Sequence, residues 1–391
     1  MACRVHRAAG EVVVEPADPA QPAAAHRYIA LDSLRGIAAL AVTVFHLQVR
    51  EGFAAWPFFR ASNQFIDFFF VLSGFVIAST YGDRLARGFP IGTFLWLRLG
   101  RIWPVHMVVL AIYLAIEIAL ALSGMSHGGR VPFTGTRDPW ALIPTALLAQ
   151  AFVMPGVETW NTQSWSISVE LGLYLAWACA WRVLGRFAVP LAVVQAVLLL
   201  AAWEVTPQAI GNQVWAVRGF AGFGLGIGLC AIERYVATRG RALPVCAATA
   251  LEAAMLIGLV LVVQPTTPHY MSELLFAALV LVFAFGRGWL ARLLGTAPFV
   301  FLGTISYSLY MVHGFVIGRT LDVLTLAQRW TGARLVEHPA GAMGLLVTPR
   351  WTSDGLTLAI VALAIALAWL TWRWIEEPCR RWSRNRVGAS A

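Results

Sequence analysis

The sequence predicts an all-α fold: a polytopic integral membrane helical bundle of about ten transmembrane helices plus one re-entrant segment. Of its 391 residues, 59% are hydrophobic and only 13% are charged, whereas a soluble domain is close to half apolar and a quarter charged. Apolar runs long enough to cross about 30 Å of hydrocarbon recur along the whole chain. Clusters of arginine separate many of these runs, as expected for loops on the cytoplasmic side of a membrane.

Eleven apolar segments occur, at about 30–49, 64–81, 102–122, 140–155, 164–182, 188–203, 213–232, 246–263, 272–286, 298–318 and 355–373. With the N-terminus inside, eleven crossings would place the arginine-rich C-terminus outside, against the positive-inside rule. The weakest segment, 140–155, is short and contains two prolines. We therefore predict that it enters and returns without crossing. Both termini are then cytoplasmic, in a multi-pass protein of the cell inner (plasma) membrane.

We divide the chain into a disordered cytoplasmic leader (1–27), a transmembrane domain (28–378) and a basic cytoplasmic tail (379–391). The leader is polar and lacks the apolar centre of a signal peptide. All 29 basic residues are arginine, scattered between apolar segments, which argues against a nucleic-acid partner and for the lipid bilayer. The five cysteines share no CxxC spacing, so neither a metal site nor a disulfide framework is indicated.

The first span contains three ionisable residues, each of which is costly at bilayer depth and therefore a functional hypothesis. Asp32 and Arg35 are three residues apart and can pair on one helix face, which is also a structural explanation. Arg35 and His46 are eleven residues apart, so they face the same way and differ in depth by about 16 Å. This arrangement favours a path through the bundle, with His46 near the outer surface.

Asp67 opens the second span, at a depth expected to match that of His46. Its carboxylate could orient the imidazole of His46 and stabilise its charged form. Equally, Asp67 could cap its own helix, because the segment from Asn63 to Asp67 is typical of a helix start.

Arg98 and Arg101 lie at the inner membrane face, at positions i and i+3 of one helix. Planar guanidinium groups projecting from one side of a helix suit bidentate binding of phosphate. Arginines that anchor a helix by snorkelling to the interface would show the same pattern.

Two later spans contain further polar residues. Ser164 and Ser166 precede Glu170, which lies two turns inside an apolar stretch; either serine could be an ordinary N-cap. In a later span, His313 follows Tyr310 by three residues. A hydrogen bond between helices explains His313 as well as chemistry does.

Together these motifs resemble the acyltransferase 3 family of membrane-bound acyltransferases, from the first span to Pro378 and the basic tail. The resemblance depends on five motifs in order, which are Arg35 with ten residues before His46, Asp67 followed by Phe70-Val-Leu-Ser-Gly, Arg98-Leu-Gly-Arg101, Ser164-Trp-Ser-Ile-Ser-Val-Glu170, and Ser306-Tyr-Ser-Leu-Tyr-Met-Val-His313. Members of the family acylate hydroxyls of carbohydrates and antibiotics.

The resemblance implies an acyl-CoA donor on the cytoplasmic side, bound by Arg98 and Arg101, and a functional need for Arg35 and His46. We expect an acyl-CoA-dependent O-acyltransferase that moves an acyl group, with acetyl the expected one, to a hydroxyl of a sugar-containing acceptor. Acetyl-CoA enters as co-substrate, and no bound cofactor is expected. His46 is the expected general base, oriented by Asp67 or Glu170. The rival hypothesis is a transporter or flippase of a lipid-linked sugar that uses the same buried charges.

Overall fold

The computed structural model of the protein describes residues 3–8, 11–16, 28–123, 131–240, 243–338 and 344–388. Within these ranges the chain is almost entirely helical, which confirms the predicted all-α membrane bundle. The α-helices are α1 (Ile29–His46), α2 (Pro57–Arg60), α3 (Phe65–Ile77), α4 (Asp83–Ala86), α5 (Ile91–Ser123), α6 (Leu142–Ala146), α7 (Gln150–Val153), α8 (Ser164–Leu184), α9 (Ala188–Val205), α10 (Pro207–Ile210), α11 (Val214–Thr238), α12 (Val245–Val262), α13 (His269–Phe285), α14 (Trp289–Leu294), α15 (Ala297–Thr331), α16 (Arg350–Thr371) and α17 (Glu377–Gly388). The strands are β1 (Cys3–Ala8), β2 (Glu11–Pro16), β3 (Val336–Glu337) and β4 (Leu345–Leu346).

Eight continuous helical stretches of the described residues are long and apolar enough to cross a membrane. One of them, Ser164–Val205, contains both α8 and α9, which meet at Gly185. Gly185 has a φ of +54°, a conformation that favours glycine and commonly ends a helix. A further apolar helix, α13, has 17 residues. Counting α8 and α9 separately and adding α13 gives ten long apolar helices among the described residues.

The directions of α1 and α15 agree with this count. Contacts between the two helices advance in the same direction along each helix: Gly303 faces the backbone of Asp32, Arg35 bonds to Ser306, and His46 bonds to His313. The two helices therefore run in the same direction, so an odd number of membrane-crossing helices must lie between them in the sequence. Seven long helices lie between them in the chain, so an additional crossing by 140–155 would have made them antiparallel.

The segment 140–155 forms only short helices, the longest being α6 and α7. Trp103 donates to the carbonyl of Ala146 (3.0 Å), and a ring nitrogen of His106 lies 2.8 Å from the carbonyl oxygen of Thr145. Because Trp103 and His106 lie well inside the 33-residue α5, the segment packs one side against the middle of that helix, and Thr145 is buried there whereas Ile143 is exposed.

Glycine lets two pairs of helices approach closely. A methyl group at Gly36 of α1 would overlap the backbone of α15 at Leu302, and one at Gly303 would overlap the backbone of α1. Gly74 of α3 and Gly226 of α11 meet the facing backbone in the same way. Small residues commonly permit such contacts between membrane helices. These contacts hold α1 against α15 and α3 against α11, the four helices that position much of the site.

Beyond the predicted spans, α15 continues to Thr331 and is followed by the short antiparallel pair β3 and β4. Arg50, beyond the end of α1, forms an ion pair with Glu337 of β3 (2.7 Å). At the other end of the sequence, β1 and β2 pair antiparallel. The remainder of the predicted leader lies outside the described residues, and the leader stays a prediction.

Candidate active site

A cavity of about 110 Å³ lies between α1, α3, α5, α8 and α15. Along α3 its wall extends from Ile66 to Ile77, a rise of about 16 Å at 1.5 Å per residue. Its lining is mixed, with cationic and acidic groups toward one end and mainly apolar side chains toward the other. The lining residues are Arg35, Ile66, Phe69, Phe70, Leu72, Ser73, Val76, Ile77, Arg98, Arg101, Ile102, Ser166, Ile167, Glu170, Tyr174, Ser306, Tyr307 and Tyr310.

Three guanidinium groups mark the first end, which we call the basic end. Arg35 pairs with Asp32 (3.0 Å), as the sequence predicts, and donates to Ser306 of α15 (3.0 Å). Arg98 lies over the ring of Tyr81 (4.9 Å from its centroid), and its buried Nε has no hydrogen-bond partner among the described residues. Such an unsatisfied donor is uncommon in a folded protein. The basic end therefore has donor capacity available for an anion.

Arg101 is held differently, because its Nε lies 3.9 Å from Oε1 of Glu376. The second carboxylate oxygen of Glu376 accepts a hydrogen bond from Ser308 (2.7 Å). Glu376 lies in a π-helical turn, Trp372–Glu376, between α16 and α17. A second π-helical turn, Ala78–Gly82, contains the Tyr81 ring beneath Arg98. Single π-helical turns occur frequently at functional sites, and here both support the basic end.

Glu170 of α8 faces the cavity and is half-buried. Its Oε1 accepts hydrogen bonds from Ser73 (2.6 Å) and from Tyr174 (2.5 Å). The carboxylate is therefore tied to α3 and to its own helix. It contributes negative charge beside the three guanidinium groups of the basic end.

At the opposite end, the hydroxyls of Ser166 and Tyr310 lie 2.7 Å apart. The ring centroid of Tyr310 is 5.7 Å from that of His313, one turn further along α15. Nε2 of His313 is 3.2 Å from Nδ1 of His46, so the two imidazoles form a pair between α15 and α1. Neither histidine lines the cavity, and Tyr310 lies between the cavity and the pair, at the end remote from Arg98.

Backbone carbonyls define the tautomers of this histidine pair. Nδ1 of His46 lies 2.9 Å from the carbonyl oxygen of Val42, and Nδ1 of His313 lies 3.2 Å from that of Leu309. A carbonyl oxygen only accepts, so both contacts are hydrogen bonds in the tautomer that carries its proton on Nδ1. In that tautomer the single Nδ1 proton of His46 is shared between the carbonyl of Val42 and Nε2 of His313, and Nε2 of His46 keeps a lone pair that can accept a proton. This arrangement suits a general base with a fixed orientation.

The residues around this cavity coincide with a family pattern. The acyltransferase 3 model, described as an acyltransferase domain, matches residues 28–374. The chain belongs to the acyltransferase 3 family. All five motifs that carry the resemblance contribute to the cavity or to the histidine pair.

Two curated relatives support the assignment. Acyltransferase MdmB of Streptomyces mycarofaciens is 30% identical over 403 residues, covering 93% of this chain and 95% of MdmB. Protein 2 in picA locus of Rhizobium radiobacter is 33% identical over 195 residues, covering 46% of this chain and 96% of that protein. No solved structure matches the chain. The family and the structure together establish a membrane-embedded enzyme that transfers acyl groups.

The structure corrects the expected partners of Asp67 and Glu170. Neither carboxylate hydrogen-bonds to His46: both oxygens of Asp67 accept from Arg218 of α11 (2.8 and 3.2 Å), and Glu170 bonds within the cavity. Asp67 makes no side-chain cap either, because the α3 terminus has none. The carbonyl of Val42 and the ring of His313 hold His46 instead.

Neither Ser164 nor Ser166 is the N-cap of α8. The N-cap position is Gln163, and its side chain makes no capping bond. Ser164 donates to the carbonyl of Asn161 and accepts from Gln150 of α7 (2.9 Å), so it ties the re-entrant segment to α8. Ser166 reaches across to Tyr310. Of the two, only Ser166 lines the cavity.

Sequence reasoning missed Arg218, Glu273 and Glu376. Arg218 and Glu273 lie inside apolar spans, and the rule that singled out Asp32 and His46 would have found them. Glu273 of α13 is fully buried, and its carboxylate has no hydrogen-bond partner among the described residues. It lies close enough to Asp67 and Arg218 to interact with both charges. Asp67 therefore belongs to a buried charged group apart from the cavity.

Proposed function

We propose that the protein is an acyl-CoA-dependent O-acyltransferase that transfers an acyl group, with acetyl the expected one, to a hydroxyl of a sugar-containing acceptor. Suitable acceptors are a surface polysaccharide, a glycolipid or a glycosylated metabolite. One observation supports the proposal: a cavity is basic at one end and is lined at the other by Tyr310, whose ring lies 5.7 Å from that of His313 in the histidine pair. This polarity matches a donor with phosphates at one end and a thioester at the other.

In this proposal, Arg98 and Arg101 bind phosphate groups of the donor. Within the described residues, Arg98 has a donor nitrogen without a hydrogen-bond partner, and Arg101 has only a long contact to Glu376. Both can turn toward a phosphate without losing a strong bidentate pair. Arg35, already bonded to Asp32 and Ser306, lines the passage that the pantetheine arm would follow.

His46 acts as the general base. Nε2 of His46 takes the proton of the acceptor hydroxyl, the oxygen attacks the thioester carbonyl, and the carbon–sulfur bond then breaks. The imidazolium returns the proton to the departing sulfur, so an ester and free CoA thiol result. While His46 is charged, its Nδ1 proton remains bonded to Val42 and His313. The hydroxyls of Ser166 and Tyr310 at the cavity end are the nearby donors for negative charge on the carbonyl oxygen.

The test is acyl transfer in membranes that contain the protein, measured with radiolabelled acetyl-CoA. His46→Ala should lower transfer by at least about 10²-fold, the effect typical of a positioned acid–base group. His338→Ala is the matched control, because His338 lies near the far end of α15 and its hydrogen-bond partner among the described residues is Thr325. Size-exclusion chromatography in detergent verifies that each variant is folded. If His46→Ala is folded and keeps more than about a tenth of wild-type transfer, His46 is not the base.

The pH profile gives a second readout. A general base must be neutral to accept a proton, and the ordinary pKa of imidazole is near 6.5. Activity should therefore be full above the imidazole titration and fall as the pH is lowered through it. The acceptor can be identified by mass spectrometry of surface polysaccharide, glycolipids and secreted glycosylated metabolites from a deletion strain. A flippase would instead move its substrate without any acyl-CoA turnover.

A further inference from the structure

The end of the cavity remote from the basic end has an apolar wall. Ile66, Phe69 and Phe70 of α3 form one side, and Ile167 of α8 forms the other. The geometry points to this end as the pocket for the acyl group itself, with Phe69 setting the longest acyl chain that the enzyme accepts. This inference rests on the proposed function and deepens it, because it names short-chain acyl thioesters as the donor class.

The basic and apolar ends of the cavity determine the orientation of the donor. Phosphates belong with Arg98 and Arg101, and the thioester is at the other end of the pantetheine arm. An extended arm therefore carries the acyl group toward Tyr310, which lies beside His313. At that end the polar groups are the hydroxyls of Ser166 and Tyr310, and the rest of the wall is hydrocarbon. Such a surface favours a methyl or short alkyl group over anything charged.

Phe69 is distinguished from its two phenylalanine neighbours by its surroundings. Phe68 is buried and packs against Phe276 of α13, so it does not line the cavity. Phe70 lines the cavity but is also buried against α11 and Trp165. Phe69 is only half-buried, and its ring lies 5.8 Å from that of Tyr310. Truncating Phe69 therefore enlarges the cavity with the least damage to helix packing.

The two rings at the apolar end favour short chains. Those of Phe69 and Tyr310 are in edge-to-face contact, with centroids 5.8 Å apart, and this contact narrows the apolar end of the cavity. In a hydrophobic pocket, one methylene group more or less changes specificity by about 10- to 200-fold. The wild type should therefore prefer acetyl over longer acyl groups by at least tenfold for each excess methylene.

The experiment measures kcat/KM for acetyl-, propionyl-, butyryl- and hexanoyl-CoA in membranes. For Phe69→Ala, the ratio of kcat/KM for butyryl-CoA to that for acetyl-CoA should rise at least tenfold, and Phe69→Leu should give a smaller rise. Phe68→Leu is the matched control for Phe69→Leu, since it alters the adjacent ring outside the cavity, and its ratio should stay within about twofold of wild type. Phe69→Trp should lower the ratio of propionyl to acetyl transfer.

The outcomes separate this inference from the proposed function. If acetyl-CoA is turned over but the butyryl-to-acetyl ratio in Phe69→Ala matches wild type, Phe69 does not limit the chain and the inference is wrong. If Phe69→Ala cannot be recovered from membranes, the acyl-chain preferences of Phe69→Leu and Phe69→Trp test the inference, and ratios that match wild type in both variants would show that it is wrong. If the wild-type protein turns over no acyl-CoA, the proposed function itself has failed.

Discussion

Breaking the ion pair between Asp67 and Arg218 should destabilise the bundle, and loss of Arg218 should cost more than loss of Asp67. Asp67 is fully buried, and the side chain of Arg218 is only 9% exposed. Both carboxylate oxygens accept from the guanidinium (2.8 and 3.2 Å), which also donates to the carbonyl of Asn63 (3.3 Å). Removing one partner leaves the other as a buried charge without its counter-ion.

The expected magnitude is about 3 to 5 kcal/mol for loss of one partner of a buried pair. Glu273 makes the two single substitutions unequal, because it interacts with both Asp67 and Arg218. In Asp67→Asn, the buried Glu273 carboxyl can release its proton and become the counter-ion of Arg218. In Arg218→Gln, the Asp67 carboxylate loses its cation, and its remaining basic neighbour among the described residues is the partly exposed His269, 3.9 Å away. We expect Arg218→Gln to cost at least about 1.4 kcal/mol more, a tenfold difference in the folded-to-unfolded ratio.

The assay is thermal unfolding of the purified protein in detergent, followed by size-exclusion chromatography, for each single variant and for the double variant. The double variant Asp67→Asn/Arg218→Gln should be more stable than Arg218→Gln alone, because it leaves a smaller unbalanced charge. Equal destabilisation by the two single variants would contradict the role given to Glu273. A variant Asp67→Asn that is as stable as wild type but inactive would show that Asp67 acts in catalysis rather than in packing.

Three further results are expected. Replacing Arg98 and Arg101 together by Ala should raise the acyl-CoA concentration needed for half-maximal transfer far more than the acceptor concentration needed. Replacing them by Lys should rescue transfer only partly, because a point charge loses bidentate geometry. Equal changes for both substrates would show that the two arginines do not bind the donor. Cysteine labels introduced near Val157 should react from outside the cell, and reaction from the cytoplasm alone would show that 140–155 crosses. Gly36→Ala should prevent folding, because its methyl group overlaps the backbone of α15. Gly318→Ala in α15 should be tolerated, because the space around Gly318 is open. Normal folding of both variants would refute the close packing of α1 against α15.

Much of the site was predictable because its residues are chemically out of place. An arginine or carboxylate within an apolar run is visible in the sequence, and helical periodicity predicts that Arg35 and His46 share a face. The structure bears this out, since both side chains contact α15. Arg98 and Arg101 line the cavity together for the same reason. Residues within one helix are related by a known rotation and rise.

Relations between helices were much harder to predict. Asp67 was expected to meet His46 because both were placed at one depth, but depth does not specify which neighbour a side chain faces. Arg218 reaches Asp67 because Gly74 and Gly226 bring α3 and α11 together. The carbonyl of Val42 could not be singled out at all, since every residue has a carbonyl. Its role depends on His46 turning back along α1 while His313 approaches from α15.

The distance in sequence between paired charges has a consequence for biosynthesis. Arg218 follows Asp67 by 151 residues, so at about 5 to 20 residues per second it is synthesised roughly 8 to 30 seconds later. During that interval α3 has been made, but its carboxylate has no guanidinium, and an isolated charge within the bilayer is unfavourable by at least about 2.5 kcal/mol. Newly made α3 is therefore expected to remain beside the insertion machinery, or to stay partly hydrated, until α11 arrives. Insertion of the early helices and their final assembly are thus separate events, and His46 meets His313 only in the second.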